Sequence, residues 1–337
     1  MKEQQQEQSA SWNMGRLMEL ATGYWKSAVL SAGVELGVFD ALAGDGRTLA
    51  KLAAQLKTAE RHLAEVLDAL VALELLEKED TTYRLAATAA PLLSRKSHAC
   101  VLDALRFNMD LYPLWGRIPE AVRQGGPVLP PGAHLGADPE RTRRFALGMH
   151  SRALGLAPAV LPALDPGNAT TLLDLAAGPG TFSRLLAEQH THLHVTQFDL
   201  APVLAVAEEL TVGHPAADRI TFQPGDYHTD ELPAGCERVL LCGAIHQENE
   251  RFAQELFTRV RTALAPDGRF WIVDMMLEAD RSGPLFSNLF SINMMLTSPQ
   301  GRVFTADRLQ ALLLAAGFAT VERKQPPWSP YWVLEAS

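Results

Sequence analysis

Leu172-Leu173-Asp174-Leu175-Ala176-Ala177-Gly178-Pro179-Gly180-Thr181 is the stretch on which the reading of this chain turns. An apolar run ends in an acid and a turn of small residues, and Phe182–Glu188 after it reads as a helix. Small residues let the backbone approach a ligand closely, and a following helix offers its N-terminal amides. Loops of this kind occur in several nucleotide-binding folds. A dinucleotide fingerprint asks for a third glycine at position 183, where Ser183 stands, and here an acid, Asp174, precedes the loop within the strand.

Working outward, strand-like runs recur at Thr171–Ala176, His194–Asp199, Ile220–Gln223, Val239–Cys242, Arg269–Met275, Ala319–Glu322 and Trp332–Glu335. Helical patterns at Phe182–Glu188, Val203–Leu210, Glu248–Leu264 and Thr305–Ala316 separate most of them, which implies a parallel sheet covered on both faces. The last two strands are joined only through Lys324-Gln325-Pro326-Pro327-Trp328-Ser329-Pro330, too short for a parallel crossover, so the final strand is expected to run antiparallel. Asp199 closes the second strand, 25 residues after Asp174, where a carboxylate can accept both hydroxyls of a ribose. Asp226 follows the third strand, placed to meet an adenine amino group while Tyr227 packs on the ring. Singly, each acid reads as a turn former. At three successive strand ends they point to an adenosyl ligand.

With these residues in place, Asp174-Leu175-Ala176-Ala177-Gly178-Pro179-Gly180 resembles the cofactor loop of class I S-adenosylmethionine-dependent methyltransferases, whose seven-stranded sheet has a reversed last hairpin. The order of a helical dimerisation region, a winged-helix unit and this sheet is similar to the small-molecule O-methyltransferases of the plant caffeate, hydroxyindole and bacterial antibiotic-tailoring type. The fold expected is thus α/β: a Rossmann-like methyltransferase sheet preceded by a mostly helical dimerisation domain containing a winged helix. The candidate cofactor positions are Asp174, Ala176, Gly178, Gly180, Asp199, Leu200, Asp226, Tyr227 and Cys242.

The resemblance implies a general base just after the fourth strand, and Val239-Leu240-Leu241-Cys242-Gly243-Ala244-Ile245-His246 puts His246 in register, one of 10 histidines in the chain. Methyl transfer from a sulfonium is an in-line displacement, so the protein must align the nucleophile and remove its proton. An imidazole, with an ordinary pKa of about 6.5, suits a phenol or enol proton near neutrality. Asp274 matches the first of the two acids that usually flank this base, and the second position holds Val303. Gln247 stands where many relatives have aspartate, and Cys242 where plant members have lysine. These departures leave three expectations open: weaker base catalysis, a more acidic hydroxyl, or a carbon or nitrogen acceptor. A non-catalytic cofactor-binding regulator is the alternative from a different class. Some relatives bind iron through a late second histidine; no histidine follows His246, so no metal is expected.

Ser282 to Gly301 is uncharged, but its serines, asparagines and prolines suit buried protein better than hydrocarbon. Leu285, Leu289, Ile292 and Leu296 form one helical stripe, expected in the core. Phe286, Phe290, Asn293, Met294 and Thr297 form another, where the resemblance implies an acceptor-pocket wall; methionines clamp a flat ring and Asn293 fixes a polar group. Asn108, Met109, Trp115, Met149 and His150 are the candidates for the opposite wall.

The N-terminal third sets the partners. Trp12 to Phe39 is helical in pattern and apolar nearly all round, which suggests either an intramolecular core or a second copy of the chain. Thr48 and Thr58 are expected to cap two helices ahead of a hairpin at Leu75–Leu85, a winged-helix layout. Its DNA-binding reading fails on charge, because Asp45 to Lys96 carries eight basic and eight acidic residues and a DNA reader needs a net basic face. The division expected is residues 1–100 for dimerisation and the winged helix, 101–164 for connecting helices, and 165–337 for the catalytic sheet, with the boundary near Asp165-Pro166-Gly167.

Composition bounds the rest. At 337 residues and roughly 150 per domain, about two domains are expected. With 47% hydrophobic residues the chain is too apolar for disorder, and 39 acids against 30 bases, net −9, oppose a phosphate-backbone surface. Cys100, Cys236 and Cys242 form neither a disulfide framework nor a C-x-x-C site, and MKEQQQEQSA lacks the apolar stretch of a signal peptide, so a cytoplasmic location without membrane or nucleic-acid partners is expected.

Overall fold

The computed structural model describes residues 11–97, 99–129, 138–326, 329 and 331–337. The polar leader, the Pro130-Pro131-Gly132 loop, and Pro327, Trp328 and Pro330 of the last connection lie outside the described residues. The chain divides into two compact units, one ending at Arg106 and the other starting at Phe107.

In the first unit, the expected long N-terminal helix breaks at Gly23 into Met14–Thr22 and Tyr24–Glu35. Trp12, Met14, Leu17, Leu20 and Trp25 remain exposed. Behind them the helix Glu60–Ala72 turns Leu63, Leu67 and Leu70 inward at helical spacing, against Phe39, Leu52 and Tyr83. Strands β1 (Arg47–Thr48), β2 (Leu76–Glu79) and β3 (Thr82–Leu85) form an antiparallel sheet in the order β1-β3-β2, so the hairpin gains a third strand the pattern did not suggest. The expected caps need correction. Thr48 occupies the N-cap of Leu49–Leu56 without a side-chain cap hydrogen bond. Thr58 precedes the true N-cap, Ala59, and its buried hydroxyl finds no partner among the described residues. The bases of this unit are drawn to acids, Lys78 to Asp68 at 2.7 Å, Arg84 to Glu77 at 2.8 Å and Arg106 to Asp40 at 2.7 Å, consistent with its neutral balance.

The second unit holds a seven-stranded sheet. Its strands are β4 (Thr171–Leu175), β5 (His194–Asp199), β6 (Ile220–Pro224), β7 (Cys236–Cys242), β8 (Leu264–Met275), β9 (Val321–Lys324) and β10 (Tyr331–Ala336), in the order β6-β5-β4-β7-β8-β10-β9. β4 through β8 pair in parallel, and β10 runs antiparallel to both β8 and β9. The period-2 alternation of a strand explains the two cores. Leu173, Leu175, Val239, Leu241, Phe270 and Ile272 point to one face, and Leu172, Leu240, Trp271 and Val273 to the other. Each such side chain, fully buried, contributes about 1.5–3 kcal/mol. The chain leaves β4 for β5 on one side and returns to β7 on the other. That reversal opens a crevice beyond the carboxyl ends of the strands, the position where open α/β sheets bind ligands.

The uncharged segment becomes the helix Leu285–Thr297. Its first stripe is not uniformly core: Leu285 is 73% exposed and Leu289 42%, whereas Leu296 is fully buried. Only the C-terminal half of that stripe packs inward. Among the described residues, no helix is long and apolar enough to cross a membrane.

Candidate functional site

The crevice of the second unit is a cavity of about 860 Å³, within the usual range for small-molecule sites. It brings together Asp174, Ala176, Gly178, Asp199, Leu200, Asp226, Tyr227, Cys242, His246, Met149, Phe290, Asn293 and Met294 from the sequence-derived candidates. Asp274 lies just behind the wall. Gly180, His150, Asn108, Met109 and Trp115 do not reach the cavity.

The loop after β4 is shaped by left-handed residues, Ala176, Gly178 and Gly180, with φ of 54°, 57° and 63°. Gly178 has open space where a side chain would project, a cradle that a Cβ would fill. Gly180 is structural instead, since a Cβ there would run into the Gln197 amide, which donates to the Gly180 carbonyl at 3.2 Å and to Ser183 Oγ at 3.1 Å. Ser183, at the position of a third glycine, is thus tied to β5. Gly180→Ala is expected to cost about 1–2 kcal/mol from the left-handed backbone alone, plus the clash. Thermal melting should show a drop of about 4 °C or more; an unchanged melting temperature would contradict this account of the loop.

Asp199 ends β5 with each carboxylate oxygen on a backbone amide: Oδ2 accepts from Gly178 N at 2.7 Å, and Oδ1 from Leu200 N at 2.7 Å. Each oxygen keeps another lone pair for a ligand hydroxyl. Burial pushes the Asp199 carboxyl up to about 6, and the more deeply placed Asp174 up to about 7. A carboxyl raised in this way stabilises the fold while protonated, fully below its unfolded value near 4, and that stabilisation is lost as pH climbs through 6. In the cofactor-free chain, the melting temperature of Asp199→Asn relative to wild type should therefore rise between pH 5 and pH 7.5. A difference that stays flat or falls would refute it.

Asp226 is partly engaged. Burial raises its carboxyl, but hydrogen bonds from His228 N and Nδ1, both at 2.9 Å, outweigh that and hold it below the usual range. The His228 ring stacks on Tyr227 (4.3 Å between centroids) and on Phe252 (4.5 Å), which are themselves 5.9 Å apart, so the three rings form one cluster. The Tyr227 hydroxyl donates to Glu248 Oε1 at 2.5 Å, and His228 Nε2 lies 3.1 Å from the same oxygen. Glu248 is a buried acid that the sequence reading missed; being two residues past His246, it had no strand-end signal.

His246 follows β7 in a short 3-10 turn. Its Nδ1 lies 2.8 Å and 3.0 Å from the two oxygens of Asp274, which also accept His246 N at 3.3 Å and Met275 N at 2.7 Å. Nδ1 bound to a carboxylate carries the proton, which leaves the Nε2 lone pair free to accept one; Nε2 has no protein partner among the described residues. At the missing second acid, Val303 is fully buried, and the adjacent Arg302 N donates instead to the His246 carbonyl at 2.8 Å. The turn is thus held by main chain where an acid was expected. Gln247 is exposed on the cavity wall, and burial raises the Cys242 thiol well above its ordinary value, so neither brings a charge.

Helical phase explains the misplaced acceptor candidates. On Leu102–Trp115 the cavity is lined by Phe107, Asp110 and Leu111; Asn108 and Met109 are turned away, and Trp115 packs against the cluster of Leu114, Ala121, Val128 and Leu296. On Pro139–Val160 the lining face is Phe145, Met149, Arg152 and Leu156. His150 lies on the next face, where its Nδ1 is 2.8 Å from Thr181 Oγ1; burial, then the Arg184 charge, holds it down to about 4 and so uncharged. On Leu285–Thr297 the expected stripe lines the cavity through Phe290, Asn293, Met294 and Thr297, without Phe286.

A reversed last hairpin, an acid at the end of each of the first two strands and a histidine-aspartate pair over the crevice define the class of a small-molecule methyltransferase. Residues 115–319 match the O-methyltransferase domain, and residues 18–95 the O-methyltransferase dimerisation domain. The tetracenomycin polyketide synthesis 8-O-methyl transferase TcmO of Streptomyces glaucescens is 34% identical, over 91% of this chain and 92% of its own. The 3-hydroxy-5-methyl-1-naphthoate 3-O-methyltransferase of Streptomyces sahachiroi is 31% identical, over 90% and 89%. Human N-acetylserotonin methyltransferase, solved in complex with SAM, superposes with a TM-score of 0.87 at 25% identity, covering 97% of this chain and 98% of that one. The chain belongs to the O-methyltransferase family and uses S-adenosylmethionine. The open cradle at Gly178 and the Asp199 carboxylate fit that cofactor's adenosyl group.

Proposed function

We propose that this enzyme methylates a hydroxyl of a small aromatic or polyketide-like metabolite, with His246 as general base and Asp274 orienting it. The carrying observation is the His246–Asp274 pair at 2.8 Å, with the other imidazole nitrogen free. Related enzymes named for a tetracenomycin polyketide and a naphthoate support the acceptor class. S-adenosylmethionine, when bound, supplies a methyl group on a sulfonium, which leaves as a neutral thioether. Asp199 would hold the ribose and Asp226 the adenine edge. His246 Nε2 takes the hydroxyl proton as the oxygen–methyl bond forms, and Asp274 balances the resulting imidazolium. Positioned base catalysis of this sort contributes about 10²–10⁴-fold, and alignment of the reactants contributes further. Measuring S-adenosylhomocysteine release over phenols, naphthols and hydroxylated polycyclic ketones tests the reading. Turnover with one of these classes is expected; methylation confined to amines or carbon acids would overturn it, and cofactor binding without any turnover would favour a regulator.

The active form we infer is a cytosolic homodimer joined through the N-terminal helices. Three free cysteines and the exposed Leu17, Leu20 and Trp25 support that reading. Wild type should sediment at twice the chain mass and the double variant Leu17→Asp, Leu20→Asp at the chain mass; equal masses would contradict the interface.

A further inference from the structure

Arg152 sits in the acceptor half of the cavity without a counter-charge. Its guanidinium carbon lies 5.6 Å from the centroid of the Tyr331 ring and 5.7 Å from that of Phe290. Among the described residues its side chain makes one hydrogen bond, a weak contact to Met275 Sδ at 3.5 Å. Among the described residues no carboxylate comes within ion-pairing distance. Its neighbours on the same helix differ: Arg143 pairs with Glu209 at 2.6 Å and Arg144 with Glu140 at 2.9 Å. In a chain with 39 acids to 30 bases, a half-buried guanidinium beside two rings on a cavity wall, with no carboxylate partner among the described residues, is placed to take an anionic group of a ligand.

We propose that Arg152 is a specificity-determining residue that binds a carboxylate on the aromatic acceptor. This rests on the O-methyl transfer proposed above. A planar guanidinium stacks on aromatic rings and presents paired N–H donors that match a carboxylate, which a neutral carbonyl cannot compensate as well. Phe290 links the two ends of the acceptor site, because its ring also meets the His246 imidazole edge-on at 4.8 Å. A flat acceptor can therefore place its hydroxyl at His246 and its carboxylate at Arg152.

The cofactor carries an amino-acid carboxylate of its own, the other source of the same chemistry. Position favours the acceptor. Arg152 reaches Met275 Sδ at the end of β8, two strands from β4 in the order β4-β7-β8, and packs by Tyr331 at the start of β10, one strand further. At the usual spacing of about 4.8 Å per strand, the Met275 contact is roughly 10 Å across the sheet from the cofactor loop.

The test compares a hydroxynaphthoate with its methyl ester, which keeps the ring and hydroxyl but removes the charge, in wild type, Arg152→Gln and Arg152→Lys. Wild type should favour the acid in kcat/KM by about tenfold or more, as a charge-assisted bond allows. Arg152→Gln should bring the ratio near one, and Arg152→Lys should restore part of it. Calorimetric binding of the same pair to the S-adenosylhomocysteine complex reads the preference even where turnover is slow. A preference that survives in Arg152→Gln overturns the proposal. So does an unaltered preference together with a tenfold loss of S-adenosylhomocysteine affinity, which would assign the guanidinium to the cofactor. Selective binding of the acid without methyl transfer to any hydroxyl would uphold Arg152 and instead defeat the O-methyl reading.

Discussion

His246→Ala is expected to lower kcat by about 10²–10⁴-fold while the dissociation constant for S-adenosylhomocysteine stays within a few-fold of wild type. The two effects separate because of where the residue stands. His246 projects from the turn after β7 and is fixed by Asp274 on β8, so its removal deletes the proposed proton acceptor and leaves the β4 loop and Asp199 in place. Alanine also leaves Asp274 without its side-chain partner. That carboxylate still accepts two backbone amides, from residue 246 and Met275, so collapse of the site is not expected. Single-turnover rates with calorimetry on the same preparations decide it. A kcat within threefold of wild type would remove His246 as base, and parallel losses in rate and cofactor affinity would make its role structural.

Asp199→Ala is expected to show the opposite signature. The carboxylate anchors the loop through Gly178 N and the next helix through Leu200 N, and its remaining lone pairs are the ones we propose to accept the two ribose hydroxyls. Two hydrogen bonds to a charged group, at about 1.5–3 kcal/mol each, correspond to a loss of about 10²–10⁴ in cofactor affinity. Calorimetric titration with S-adenosylhomocysteine at pH 7.5, where the carboxyl is ionised, measures this. A dissociation constant within a few-fold of wild type would place the ribose elsewhere. Near pH 6 wild type itself should begin to weaken, as the carboxyl takes up its proton.

Much of the sheet and its ligand edge was legible in the sequence, for physical reasons. Strands buried on both faces read as short apolar runs, and Asp174 and Asp199 stand out because acids close two of them. His246 was legible once the resemblance placed a base just after β7, and Asp274 once it placed an acid at the end of β8. Helical walls were harder. Periodicity tells which residues share a face but not which face meets the cavity, so Phe107 and Leu111 line it where Asn108 and Met109 were expected. On Pro139–Val160 the same ambiguity concealed Arg152, three residues from the correctly placed Met149. Tyr331 and Glu248 enter the cavity through strand order and a turn, relations between distant segments that no local spacing carries. The caps failed for a related reason: Thr48 stands at the N-cap without its side chain making the capping bond, and Thr58 stands one residue ahead of the true N-cap.

The central claim is that the His246–Asp274 pair directs the methyl group to oxygen. Turnover with S-adenosylmethionine carrying a ¹³C methyl group, on an acceptor offering both a phenolic hydroxyl and an amine, read by ¹³C NMR, tests it most directly. The account predicts one labelled methoxy resonance in wild type and its near absence in His246→Ala at matched cofactor saturation. A labelled N-methyl or C-methyl resonance in wild type, or an undiminished methoxy signal in the variant, would contradict it.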